Sequence, residues 1–317
     1  MRKMTEASGD PQDIPPQRQS RYARQPDKKS VSLTLLKRSY LLHVANFGVV
    51  SLPQLALLTD HSVKSAARHM RDLFDMGFVN VVAIPRAALA ESQESNDAGL
   101  LFGSAPNIYT LTRMGAKALV QTGELVAPLP VLKYGPKNHL FLAHELGIRD
   151  VRVWLTRTAR SLAGHRIERW RDGVEAHIDL ERAHTPRVAR PDAWFVYGFG
   201  KRVLLGLVEL DRGTERGGTR WQEKLAAYGT LFQTGKLKEA TGYSRARILV
   251  VVPNAARRDA LANLIQNAAS GGLAERFWLA ERSCLERPEM TQAVWRIPGD
   301  SQLRPLLSPE LLSEESE

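Results

Sequence analysis

The chain has 317 residues, with 44 lysines and arginines against 34 acids, a formal charge of +10 and 43% apolar residues. That length accommodates two domains around real cores, and the basic excess favours polyanionic partners such as nucleic acid. A single cysteine, Cys284, excludes internal disulfides and cysteine-rich zinc modules. The polar N-terminus lacks a signal peptide's apolar stretch, and no apolar run reaches the length of a bilayer span, so a cytoplasmic protein without a membrane segment is expected.

Residues 1–30, rich in Pro, Gln, Ser and charge, read as a disordered basic tail carrying Arg18, Arg21, Arg24, Lys28 and Lys29. Residues 31–125 form the first expected domain. A helical pattern opens at Ser32, with Leu33, Leu36, Tyr40, Leu41 and Val44 on one side, and Gly48 ends it. A short helix follows, with Ser51 as cap and Pro53 in its first turn. After the turn Thr59-Asp60-His61, Ser62 caps a third helix, VKSAARHMRDLFDM. Val63, Ala66, Ala67, Met70 and Phe74 are its expected buried stripe, while Lys64, Arg68 and Arg71 share another face at i, i+4, i+7 spacing. Then come a strand (FVNVVAI), a polar loop (ESQESNDAG), a second strand (NIYTL) and a helix (TRMGAKALVQTG). This is the order of a winged helix-turn-helix, whose third helix enters the major groove of double-stranded DNA, with Lys64, Arg68 and Arg71 as the contacting residues.

Residues 126–136, with three prolines and a glycine, read as a linker. Residues 137–305 form the second domain and 306–317 an acidic tail. A long helix over about 137–162 carries Leu140, Phe141, His144, Ile148, Val151 and Leu155 on one side. His139 and His144 read as packing or polar-contact residues rather than metal ligands, since i, i+5 does not share a face. Strands are expected at RIERW, VEAHIDLE, PDAWFVY, RVLLGLVELD, ARILVVVP, RFWLAE and AVWRI, with helices over about 219–233 and in NAARRDALANLIQNA. The mixture points to an α/β or α+β domain.

Its informative feature is acidic. Asp192 begins one strand of the hairpin closed by Gly198-Phe199-Gly200-Lys201, and Glu209 and Asp211 end its partner. Residues i and i+2 of a strand face the same way, so Glu209 and Asp211 lie side by side with Asp192 near both. Three converging carboxylates call for positive charge; Mg²⁺ or Mn²⁺ is the natural occupant, and Lys224, one turn before Tyr228 on the next helix, can add an ammonium. The competing reading is solvated acids that pair with Arg202 or Arg212.

Pro191-Asp192, a spacer and Glu209-Leu210-Asp211 resemble the PD-(D/E)xK arrangement of restriction-endonuclease-like nucleases. The run PDAWF…VELDRGTE…KLAAY behind a winged helix and a histidine-bearing long helix resembles the replication-relaxation family of mobile-element proteins over roughly residues 33–255. The resemblance implies a restriction-endonuclease-like second domain with Asp192 and Glu209 as metal ligands. It also implies that Asp211 stands where the commoner pattern has a lysine; either Lys224 supplies that charge or the site cuts nothing. Glu168 is a candidate fourth carboxylate. The function implied is initiation of mobile-element replication or conjugative transfer by nicking an origin-like duplex, with relaxosome or transfer proteins as further partners. The alternative is a non-catalytic DNA-binding accessory protein or transcriptional regulator. His177 and His184 do not make the closely spaced histidine cluster of metal-dependent relaxases, Tyr228 and Tyr243 lack the Arg-His framework of a tyrosine recombinase, and no phosphate-binding GxxxxGK[ST] loop is present.

Overall fold

The computed structural model describes residues 20–25, 32–84, 89, 105–126, 139–180, 188–213, 219–287 and 290–308. Helix α1 (Leu35–Phe47) starts on a Thr34 cap and stops at Gly48, whose φ of +71° suits a residue without Cβ. Strand β1 (Val49–Ser51) leads into α2 (Leu52–Thr59), where Ser51 and Gln54 form a reciprocal capping box. Asp60, left-handed at φ +55°, turns the chain into α3 (Val63–Asp75), capped by Ser62. Strands β2 (Val79–Val82) and β3 (Ile108–Leu111) precede α4 (Arg113–Gln121). The three strands make one antiparallel sheet in the order β1-β3-β2. The four helices and this sheet enclose a core built on Tyr40, Leu55, Met70 and Leu119.

Helix α5 (His139–Ser161) leads to the second sheet. Its strands are β4 (His165–Asp172), β7 (Ala193–Phe199), β8 (Arg202–Leu210), β9 (Arg247–Val252), β10 (Phe277–Glu281), β11 (Ala293–Arg296) and β12 (Leu303–Pro305). A separate two-stranded ladder pairs β5 (Ile178–Asp179) with β6 (Val188–Ala189). The main order is β12-β11-β10-β9-β8-β7-β4, parallel across β8, β9 and β10 and antiparallel outside them. Helices α6 (Thr219–Gln233) and α7 (Lys236–Thr241) make the β8-to-β9 crossover, and α8 (Ala255–Ala268) the β9-to-β10 crossover. Parallel neighbours require such crossovers, and sheets covered on both faces carry apolar strands such as ILVVV of β9. Helices α6 and α8 cover one face, packing Trp221, Leu225 and Ile265 on Trp194, Leu207 and Val250. Helix α5 covers the other, with Trp154 and Leu155 against Phe195, Val208 and Trp295.

Several sequence-based expectations are corrected. Residues 20–25 do not hang free: Arg24 donates to the Val79 carbonyl at 3.1 Å and to Asn80 at 2.9 Å, and Arg21 donates to the Ala105 carbonyl at 2.8 Å. Guanidinium donors thus find backbone acceptors that composition cannot reveal. On α3, Leu73 is buried and Val63 is 50% exposed, because Val63 sits in the overhanging first turn. On α5, Ile148, Val151 and Leu155 are buried but Phe141 is 65% exposed. VEAHIDLE is not one strand: Gly173, at φ +57°, opens a 3-10 turn over Gly173–Ala176, and only Ile178–Asp179 pairs. Leu306 and Leu307 belong to the core rather than to an acidic tail. Helix α7 and strand β12 were not anticipated. The linker beyond Val126, the polar loop at 91–99, His184 and residues 309–317 lie outside the described residues. Among those described, no helix is long and apolar enough to cross a membrane.

The two parts meet along α2 and α5. Gln54, while capping α2, donates from Nε2 to the Leu146 carbonyl at 2.8 Å and to Asp150 at 2.6 Å. Arg282 holds the other Asp150 oxygen at 2.5 Å from beyond β10.

Candidate functional site

The hairpin turn at Gly200-Lys201 sets Phe199 opposite Arg202, and the ladder runs back to Ala193 opposite Val208. Asp192 therefore emerges beside the C-terminal end of β8, where its amide donates to the Val208 carbonyl at 2.9 Å and its carboxylate accepts the Leu210 amide at 2.7 Å. His144 reaches the same carboxylate oxygen from α5, Nε2 to Oδ2 at 3.1 Å. Gly147 brings α5 this close: a Cβ there would lie 2.4 Å from Leu210 Cδ2.

Glu209 is 1% exposed and turns to the opposite face, toward α6. Tyr228 donates to its Oε1 at 2.5 Å, and the Lys224 ammonium donates to its Oε2. Two residues one helical turn apart thus hold both oxygens of one buried carboxylate. Burial pushes the Glu209 carboxyl up; Lys224 pulls against that rise and the Asp192 charge adds to it. Burial would lower the Lys224 ammonium, but the Glu209 and Asp192 charges raise it above its ordinary value. Burial also works to raise Asp192, yet the His144 hydrogen bond, the His144 and Lys224 charges and the Leu210 amide hold it low. The result is an ammonium bound to Glu209 and lying within the field of Asp192 at the β8 terminus.

Asp211 lies on the Glu209 face, as the strand period requires, but is engaged elsewhere. Arg257 of α8 donates to both its oxygens, Nε to Oδ1 at 3.1 Å and Nη2 to Oδ2 at 2.7 Å. Trp221 Nε1 adds a bond at 2.9 Å and the Gly213 amide one at 2.7 Å. Burial opposes these donors, and they still hold the Asp211 carboxyl low. Among the described residues no group of three or more His, Cys, Asp or Glu is arranged to hold a metal ion. Glu168 stands apart, paired with Arg166 at 2.6 Å on β4. The acid that β4 does bring beside Ala193 is Asp172, bound by Arg149 at 2.6 Å and by Trp170 Nε1 at 2.5 Å. The donors seen on these two acids come from α6, α8 and the turn at Gly213.

These residues open into a cleft of about 1220 Å³ between the end of α1, α5, the start of β7 and α6. Asp192, Glu209, Lys224, Tyr228 and His144 all line it, and Asp211 does not. Sequence reasoning placed Asp192, Glu209 and Lys224 together and read His144 as a packing or polar-contact residue; that its contact is Asp192 is what the structure adds.

Of the three cations expected on α3, Lys64 and Arg68 are exposed. Arg71 is drawn into the protein, bridging Asp75 at 2.8 Å and donating to the Ser20 and Ala23 carbonyls at 3.3 and 2.8 Å.

The geometry defines a mixed-sheet protein with a carboxylate–lysine cleft at a strand terminus. The replication-relaxation family matches residues 41–245, more than half of the chain and all of His144, Asp192, Glu209 and Lys224, and the chain belongs to that family. A search of curated proteins finds no match. Among solved structures, the restriction endonuclease FokI matches at 10% identity and a TM-score of 0.27, over 79% of this chain and 42% of that chain. So loose an overlay carries no argument about activity.

Proposed function

We propose that this protein binds double-stranded DNA at an origin-like site of a mobile element and nicks one strand there by hydrolysis dependent on Mg²⁺ or Mn²⁺. The N-terminal unit is read as a winged helix: three helices, the third capped by Ser62 and presenting Lys64 and Arg68, followed by the β2–β3 hairpin as wing. Arg71 is removed from the expected DNA-contacting set, since its guanidinium is already occupied.

The observation that carries the nuclease reading is the approach of Lys224 to Glu209 beside Asp192. A lysine next to two strand-terminal carboxylates is the donor set of the PD-(D/E)xK pattern, with the ammonium supplied by the following helix instead of by the position of Asp211. Asp192 and Glu209 line the cleft and would hold a hard cation that keeps part of its water shell if Glu209 exchanged Lys224 or Tyr228 for it, whereas Asp211, with both oxygens bound by Arg257, lies outside the cleft. Held there, such an ion would supply Lewis-acid stabilisation of an attacked phosphodiester. The chain's own residues do the rest. Lys224 places positive charge where negative charge develops, Tyr228 fixes the Glu209 carboxyl, and His144 orients Asp192 while facing the cleft as a proton acceptor or donor.

The test is nicking of a supercoiled plasmid carrying the cognate site. Wild-type protein with Mg²⁺ is expected to relax it, and Asp192→Ala and Lys224→Met to lose at least a hundredfold in rate. Failure of wild type to cut its cognate plasmid with either metal overturns the enzyme reading and leaves a DNA-binding regulator, which the saturation of Glu209 by Lys224 and Tyr228 would then explain.

A further inference from the structure

Helix α5 presents one continuous face to the cleft: Phe141, His144, Glu145, Ile148, Arg149 and Arg152 all line it, at i, i+3, i+4, i+7, i+8 and i+11 spacing. The face is graded. At one end Phe141 is a large aromatic left 65% exposed, and Val174 of the facing wall is 73% exposed. In the middle His144 meets Asp192. At the other end Arg152 forms no ion pair among the described residues, though the Asp172 charge acts on it; its guanidinium donates to the Asn46 carbonyl and lies 4.5 Å from the Phe47 ring centroid and 5.5 Å from that of Trp170. Burial lowers it only to about 10, so it remains cationic at neutral pH. Of the cleft's carboxylates, Asp172 pairs with Arg149, Asp192 with His144, Glu209 with Lys224 and Glu175 with Arg171, and the wall also carries Glu145 and Glu223. Arg190, exposed on the rim beside Asp192, also has no acidic partner among the described residues.

We infer that this cleft takes an unpaired DNA strand rather than duplex, with a base stacked on Phe141 and the flanking phosphates on Arg152 and Arg190. The inference rests on the nucleic-acid reading of the site given above. Three features argue for a single strand. An exposed aromatic ring rewards a ligand that offers a free π face, which an unpaired base has and a base inside a duplex stack does not. From Phe141 to Arg152 the helix rises about 16 Å, the reach of a short run of nucleotides laid along it. A volume of about 1220 Å³ exceeds that of an ordinary small-molecule pocket yet cannot enclose a double helix. Duplex held by the N-terminal unit would therefore have to surrender one strand locally before Asp192 and Lys224 could act on it.

The experiment measures full-length protein binding to a short fluorescent oligothymidine and to a duplex of equal length without the cognate site, without divalent metal and at two salt concentrations. Wild type is expected to prefer the single strand. Phe141→Ala should lower the ratio of single-strand to duplex affinity about tenfold, and Phe141→Trp should restore it. Because Phe141 is solvent-exposed, the substitution leaves the core intact. Arg190→Ala should weaken single-strand binding and flatten its salt dependence. No single-strand preference in wild type, or an unchanged ratio in Phe141→Ala, overturns the inference. That outcome is separable from failure of the nicking reading, which is scored by metal-dependent cleavage alone: plasmid relaxation with an unchanged Phe141→Ala ratio would sink only the strand assignment, whereas a lost ratio without any cleavage would uphold it.

Discussion

The exposed face of α3 and the buried cluster behind β8 use the same residue types under opposite physical conditions. Lys64 and Arg68 are solvated and need no partner. Around Glu209 and Asp211 water is excluded, and each carboxylate oxygen has a donor supplied from α6, α8 or the adjoining turn. Burial makes the difference: a charge in water is inexpensive to leave alone, while a charge removed from water must be matched or neutralised. Surface charge is thus available for binding a partner at little cost to the fold. Buried charge commits several elements to one geometry, and the active-site reading depends on that commitment.

The sharpest way to break the comparison is Lys224→Met, which leaves Glu209 buried beside Asp192 without its ammonium. A loss of about 3–5 kcal/mol is expected at neutral pH. The sign follows from the raised Glu209 carboxyl: below its unfolded value of 4.5 the group is protonated in both states, so the deficit should shrink as pH falls toward 4.5. Urea denaturation at the two pH values measures it, and a deficit independent of pH would show that packing rather than charge is lost.

Next in size is Arg257→Ala, which strips the guanidinium from Asp211 and should cost roughly 1–3 kcal/mol. Asp211 is held below 3.8, so its contribution is present above that pH and fades as pH falls through the folded value. The variant should therefore approach wild-type stability in acid, and plasmid nicking should persist because Asp211 lies outside the cleft. Loss of all cleavage in a folded Arg257→Ala protein would return Asp211 to the metal-binding set.

Gln54→Ala tests the junction between the two regions. It removes half of a capping box and the donors to Leu146 and Asp150, for a cost of about 1–2 kcal/mol. Hydrogen exchange should speed first in α2 and in the middle of α5. An effect confined to α2 would mean that the contact with α5 contributes nothing.

The smallest stability change is expected on the exposed face. Lys64→Ala with Arg68→Ala should alter stability by no more than about 0.5 kcal/mol. The same pair should weaken duplex binding and reduce the salt slope by about 2, read by titration at several salt concentrations. A slope equal to wild type would place the duplex elsewhere on the molecule.

Periodicity and capping chemistry made most elements legible. The Ser51 and Ser62 caps, the Gly48 stop and the helix over 219–233 all follow from local rules about hydrogen bonding and positive φ, whereas the hairpin expected to close over Gly198-Phe199-Gly200-Lys201 turns more tightly, on Gly200-Lys201 alone. So does the shared face of Glu209 and Asp211, which the strand period dictates. The partners of those acids were another matter. Arg257 lies 46 residues from Asp211 in sequence, and no spacing rule joins them. His144 meets Asp192 only because Gly147 lets α5 settle on Leu210. Phe141 looked like a core residue because its helical phase matches that of Ile148 and Leu155, yet the sheet beneath those two does not extend to it.

What the sequence by itself determined, then, was which chemical groups exist and which face of each element carries them: three acids around one hairpin, a lysine and a tyrosine one turn apart, cations along α3. What only the tertiary structure decided was how those groups are shared out. Of two acids on one strand face, Glu209 took both donors from α6, while Asp211 took its donors from α6, α8 and the adjoining turn. A histidine and an aromatic entered the cleft because α5 runs past the end of β8, and an arginine meant for a partner was turned back onto Asp75 and the Ser20 and Ala23 carbonyls. Element identity is set by neighbours within a few residues, whereas pairing and burial are set by packing between elements far apart in the chain, where local pattern has no purchase.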